Sequence, residues 1–97
     1  MNNNKYQELA KSTKFAVVII NGQHRVENLK GPYADEVPHI DIPPQLAEIY
    51  LDYLLGYKDE EPGFKREAKA NGIRQFNLEC EQMFDDEHSE LYPESTL

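Results

Sequence analysis

The most constraining feature of this sequence is a run of apolar residues that ends at an Asn-Gly pair. Residues 14–20 are rich in β-branched side chains, which favour a strand buried on both faces. Asn21-Gly22 follows, and both residues tolerate the positive φ angles of a type I′ turn. Residues 23–30 then return as a more polar strand, which ends at Gly31-Pro32. The sequence therefore predicts a β-hairpin over residues 14–30.

A third strand is expected over residues 37–42. Ile40 and Ile42 alternate with His39 and Asp41, so the two isoleucines share one face. Pro38 cannot donate a hydrogen bond to a sheet, and we therefore expect this strand to be short or to lie at an edge.

The strongest helical signal begins at Pro43-Pro44 and runs to about Leu55, with Gly56 as its end. Apolar residues cover most of this helix and leave only Glu48 and Asp52 on a narrow polar strip. A surface helix normally has one apolar stripe. We therefore expect the helix to pack on the sheet and also to meet a second element or a partner.

The C-terminal part predicts two more helices. A short helix from about residue 62 or 64 should end at Asn71-Gly72, and a longer one should begin at Ile73. Residues 73–80 also alternate as a strand would, but the helical pattern covers more of the segment. Residues 5–11 give a weak helical signal, which predicts a first helix at the start of the chain.

Together these patterns predict one α+β domain over residues 1–97, with a small antiparallel sheet built on the hairpin and two to four helices packed on it. The two ends, residues 1–13 and 89–97, are expected to be mobile.

Composition restricts the possible functions. The chain has 97 residues, a net charge of −8 and a pI near 4.7, which argues against direct binding to nucleic acid or to an anionic membrane. One cysteine excludes an internal disulfide or a multi-cysteine zinc site. The longest apolar run has six residues, too few to span a bilayer, and the Asn-rich start does not resemble a signal peptide. We expect a cytoplasmic protein.

No pattern in the chain is typical of catalysis or of a cofactor site. Cys80 lies at an apolar helical position, so a buried thiol is favoured over a reactive one. The histidines His24, His39 and His88 are far apart in sequence. The acids beside His88 lack the glycine and the alternating oxygens of a calcium loop. We expect a protein that is not an enzyme and has no metal and no cofactor.

The acidic residues are the remaining functional signal. Residues 31–97 carry sixteen acids and five bases, and the acids cluster. Spaced carboxylates can imitate the regular charge of a nucleic-acid backbone, while the simpler interpretation is that they serve solubility. The candidate contacts are Asp35, Glu36, Asp59, Glu60, Glu61, Glu79, Asp85, Asp86 and Glu90.

Three tyrosines indicate an alternative function, that of a small structural or regulatory protein-interaction domain that binds through a tyrosine-rich helix face. Tyr50, Tyr53 and Tyr57 share one helical face, and tyrosine is enriched at the energetic centre of interfaces. In the simpler interpretation, the three rings are buried and close the core over the hairpin.

The short length, the Asn21-Gly22 hairpin packed with helices, and the acid-rich stretch from Asp35 to Glu94 resemble the anti-CRISPR proteins of phages, particularly the DNA mimics that act on type I-F surveillance complexes. The resemblance implies a non-enzymatic inhibitor that blocks target-DNA binding by occupying a Lys/Arg-lined surface of a CRISPR surveillance complex. It also implies action in the bacterial cytoplasm without a cofactor.

Overall fold

A computed structural model describes residues 5–56 and 65–93. The order of elements is four strands followed by two helices: β1 (Tyr6–Lys11), β2 (Phe15–Ile20), β3 (Gln23–Asn28), β4 (His39–Asp41), α1 (Pro44–Leu55) and α2 (Lys65–Leu91). The strands form one antiparallel sheet in the order β1-β2-β3-β4. The predicted α+β class is therefore confirmed.

The hairpin forms where the sequence predicts it. Asn21 and Gly22 both have positive φ angles, of 52° and 84°, as a type I′ turn requires. β2 lies between β1 and β3 in the sheet, and its first four residues are buried. Phe15 and Val17 face the helices and belong to the main core. On the opposite face, Tyr6 donates a hydrogen bond to Glu27 at 3.0 Å, across β2.

The predicted first helix over residues 5–11 is wrong, because Tyr6–Lys11 forms strand β1. This strand pairs with β2 and has a bulge between Glu8 and Ala10. The bulge allows both Leu9 and Ala10 to pack against the core. Backbone pairing with a buried neighbouring strand outweighs the weak helical propensity of a segment this short.

The third strand is shorter than predicted and lies at the edge, as Pro38 indicated. β4 pairs with β3 and covers His39–Asp41. Ile42 is buried and Ile40 packs against the core, while Asp41 lies opposite Arg25.

The predicted helix end at Asn71-Gly72 is also wrong. α2 runs without a break from Lys65 to Leu91, so one long helix replaces the two that the sequence predicted. Gly72 lies inside it, directly against the Tyr53 backbone of α1. Glycine at this position permits close approach of the two helices rather than ending one of them.

The two helices pack on one face of the sheet. Phe76, Cys80 and Phe84 of α2 are fully buried, and Phe84 stacks on Phe15 with ring centroids 5.4 Å apart.

Residues 6–11 and 89–91, within the termini expected to be mobile, are part of β1 and α2. Of the described helices, none has both the length and the apolar composition needed to cross a membrane.

Candidate partner-binding groove

The candidate site is a groove of about 480 Å³ between α1 and the C-terminal half of α2. Its described lining residues are Leu46, Tyr50, Glu79, Gln82, Met83, Asp86, Glu87 and Glu90. The two helices run antiparallel, since Tyr53 lies beside Gly72 while Leu46 shares the groove with Glu90.

The floor of the groove is apolar. Leu46 and Met83 are half-buried and pack against the core. Tyr50 is only 3% exposed, and its ring packs edge-on against Phe76 with centroids 5.3 Å apart. A partner side chain in the groove would therefore contact mainly the aliphatic carbon of Leu46 and the flexible thioether of Met83.

The rim of the groove is acidic, and every charged residue among the described lining residues is a carboxylate. Glu79, Asp86 and Glu90 project from one side of α2, because separations of seven and eleven residues return to within about 20° of the same direction on a helix. Glu87 lies about 80° around the helix from Glu79 but also lines the groove. At a rise of about 1.5 Å per residue, the row extends about 16 Å. We call these four residues the acidic row.

The first residue of the acidic row is held in place by its neighbours. Tyr53 donates a hydrogen bond to Glu79 at 2.9 Å, and Gln75 donates a second one at 2.7 Å. The bond to the Glu79 carboxylate raises the pKa of the Tyr53 phenol, because the neutral phenol is the donor. Asp86 accepts a hydrogen bond from Gln82 at 3.0 Å.

Two other acids of α2 lie on its opposite side and outside the groove. Glu81 pairs with Lys14 at 2.6 Å, close to where the Ser12 hydroxyl donates to Asn77 at 2.7 Å. Asp85 accepts a hydrogen bond from the Tyr33 hydroxyl at 3.2 Å. Asp85 therefore does not join Asp86 and Glu90, although all three are candidate contacts.

The turn that carries Asp35 and Glu36 packs against the side of α2 that presents Asp85. Tyr33 has a φ of 61°, which is uncommon for a residue with a side chain, and its ring stacks on His88 with centroids 3.8 Å apart. Both acids are exposed. Asp35, Glu36 and Asp85 thus form a separate acidic surface, on the other side of α2 from the acidic row.

The remaining candidates are placed as follows. Asp59, Glu60, Glu61 and Tyr57 lie outside the described residues. Tyr50 belongs to the core, and its phenol has a raised pKa, mainly because of burial. The predicted tyrosine face therefore turns toward α2 at Tyr50 and Tyr53 instead of facing solvent.

Glu87 was missed as a candidate contact. It directly follows Asp86, and its position eight residues after Glu79 places it about 80° away on a helical wheel, so helical spacing did not mark it as a contact. Leu46 and Met83 could not be assigned to a groove floor from the sequence, because their proximity depends on how α1 crosses α2.

A second groove, of about 550 Å³, lies on the other side of α2. Lys14, Arg74 and Glu81 line it together with Ile73 and Leu78, and Leu78 is 56% exposed. Its charges are mixed, and Lys14 is already paired with Glu81. It therefore lacks the single sign of charge that marks the first groove.

Cys80 is fully buried, and burial raises the pKa of its thiol. Across residues 5–56 and 65–93, no three His, Cys, Asp or Glu side chains converge as a metal site requires. The described side chains of the first groove therefore offer a partner negative charge and apolar surface.

Comparison of this chain with protein-family models, with curated proteins and with solved structures finds no match.

Proposed function

We propose that the protein is a non-enzymatic inhibitor that binds a basic, nucleic-acid-binding surface of a protein complex by replacing nucleic-acid charge. The first target to test is the type I-F CRISPR surveillance complex, with the inhibitor acting in the bacterial cytoplasm. The observation that carries the proposal is the acidic row, which forms a negatively charged rim beside an apolar floor.

The spacing of the acidic row supports this function. Four carboxylates over about 16 Å of helix are separated by roughly 5.5 Å on average. One strand of duplex DNA carries one charge per about 3.4 Å of axis. The row is therefore less densely charged than one phosphate strand, but closer to it than to the whole duplex, whose charge density is about twice as high.

The fixed geometry of Glu79 is a second support. Its hydrogen bonds to Tyr53 and Gln75 hold the carboxylate before any partner binds. A partner then loses less conformational entropy in ordering that contact. Acids that serve only solubility need no such positioning.

The test measures target-DNA binding by a purified type I-F surveillance complex in the presence of the protein. Fluorescence anisotropy of a labelled duplex reports the bound fraction of DNA. We expect the protein to reduce DNA binding, and the reduction to weaken as salt screens the charges. Asp86→Asn/Glu90→Gln should inhibit less than the wild type.

The matched control is Glu48→Gln/Asp52→Asn. It removes the same charge from two acids, also four residues apart, on the exposed side of α1. Equal inhibition by both double variants would show that total charge, rather than the groove, is responsible. A protein that leaves DNA binding unchanged at low salt does not act on this complex.

A further inference from the structure

The groove is shallow and pairs an acidic rim with an apolar floor, and this combination limits what can bind in it. A partner surface that carries only basic groups would contact the rim and leave Leu46 and Met83 on the floor without an apolar partner. The partner element that fills the groove has to project from its own surface and bring basic groups to the acidic row and apolar atoms to the floor.

We infer that the occupant is a basic amphipathic α-helix, of the kind that nucleic-acid-binding proteins insert into a DNA groove. This inference rests on the proposed function and names the partner element that the same site accepts. The major groove of DNA is about 12 Å wide, has phosphates along its edges and admits one α-helix. The groove between α1 and α2 offers the same combination, with carboxylates along one edge.

The spacing of the acids favours a helix over an extended segment. From Glu79 to Asp86 and from Asp86 to Glu90, the rise along α2 is about 10.5 Å and about 6 Å. A helix repeats one face at i+7 and i+4, which are the same two intervals. A strand repeats one face about every 6.6 Å, so it fits the shorter interval and misses the longer one.

The length and packing of the groove are also suited to a helix. The acidic row covers about 16 Å, which is three turns. A helix lying between α1 and α2 contacts both, as the third member of a bundle, at the usual interaxial distance of about 8–10 Å. Met83 on the floor adapts its shape to the apolar side chains of the guest.

The experiment measures binding of two labelled peptides of alanine, leucine and arginine to the full chain by fluorescence anisotropy. In the first, arginines at i, i+7 and i+11, the intervals of Glu79, Asp86 and Glu90, run beside a stripe of leucines. The second has the same composition, with its arginines and leucines scattered around the helix. Circular dichroism establishes that both peptides reach the same helix content, so that only the pattern differs.

We expect the striped peptide to bind at least about tenfold more tightly than the scattered one. Asp86→Asn/Glu90→Gln should weaken its binding about five- to tenfold, and the control Glu48→Gln/Asp52→Asn should leave it within about twofold. Heteronuclear NMR of the wild type should place the largest shifts at Leu46, Met83 and Glu90.

Four results would overturn the inference. Equal binding of both peptides would mean that charge alone recruits a partner, and inhibition of the surveillance complex could then still occur. If Asp86→Asn/Glu90→Gln binds the striped peptide as tightly as the wild type does, the peptide binds elsewhere. NMR shifts away from the groove would show the same. A chain that sediments as a dimer and becomes monomeric as the striped peptide binds would identify a second copy as the natural occupant.

Discussion

Gly72 of α2 lies so close to the backbone of Tyr53 in α1 that a Cβ atom at position 72 would overlap the Tyr53 carbonyl oxygen. This approach brings Tyr53 within hydrogen-bond distance of Glu79 and the Tyr50 ring onto Phe76. The floor and the first acid of the groove therefore depend on a residue that lies outside it.

Gly72→Ala should destabilise the protein by about 1–3 kcal/mol, because the added methyl group forces the two helices apart. This loss exceeds the gain of about 0.5–1 kcal/mol that alanine normally brings to a helix interior. Urea unfolding followed by circular dichroism measures the change.

The matched control for Gly72 is Gly56→Ala. Gly56 has a helical φ of −59°, and a Cβ atom there meets nothing within 4 Å. This variant should be unchanged or slightly more stable. Equal stability of the two variants would mean that the helices do not meet at Gly72.

Asn28→Ala should loosen the turn that carries Asp35 and Glu36. The buried Asn28 amide donates to the Pro32 carbonyl at 2.8 Å and accepts from the Gly31 amide at 2.8 Å. Its removal leaves these groups without their partner, at a cost of about 1–3 kcal/mol. Faster amide hydrogen exchange across residues 31–37, together with a lower unfolding midpoint, would report the loss.

An exposed asparagine provides the comparison for Asn28. Asn71→Ala, on the surface of α2, should change the free energy of unfolding by less than about 0.5 kcal/mol. Unchanged exchange in Asn28→Ala would contradict the role assigned to this side chain.

Removing charge from the acidic row should stabilise the fold while it weakens binding. Like charges four residues apart on a helix repel by a few tenths of a kcal/mol, and Asp86 and Glu90 also face Glu79 and Glu87. Asp86→Asn/Glu90→Gln should therefore raise the melting temperature more than Glu48→Gln/Asp52→Asn does. The difference should shrink as NaCl screens the repulsion; a difference that persists in high salt would point to packing instead.

The Cys80 thiol should be inert in the folded protein. It is fully buried, and burial raises its pKa, so little thiolate forms near neutral pH. A disulfide reagent such as DTNB at pH 8 should react with it only when urea unfolds the chain. Rapid reaction without urea would show that this part of the core opens readily.

Tyr50 should make stability fall at alkaline pH. Burial raises the phenol pKa in the folded state, whereas in the unfolded chain it is near 10. The folded state therefore holds this proton more tightly, and its contribution is fully present below about pH 10 and decreases as pH rises further.

The measurement for Tyr50 is urea unfolding at pH 8 and pH 11. Tyr50→Phe has no phenol to ionise, so it should lose about 1 kcal/mol less stability than the wild type over this interval. Identical losses would exclude Tyr50 as a source of the pH dependence.

Local sequence was sufficient wherever an element depends on its own residues. The Asn21-Gly22 turn, the burial of β2 and the extent of α1 follow from backbone preferences and from side-chain patterns that act within a few residues. The helical character of residues 73–84 was predicted for the same reason. The prediction of an acid-rich surface also holds, since charge is a property of composition.

The sequence by itself determined the α+β class, the hairpin, α1 and the sign of the surface charge. Only the tertiary structure decided that Tyr6–Lys11 is a strand, that α2 continues through Gly72, and that Glu79 and Asp86 line a groove while Asp85 faces Tyr33. These outcomes depend on which distant segments meet. Pairing with β2 and packing against α1 contribute more free energy than the local preferences that favour another conformation.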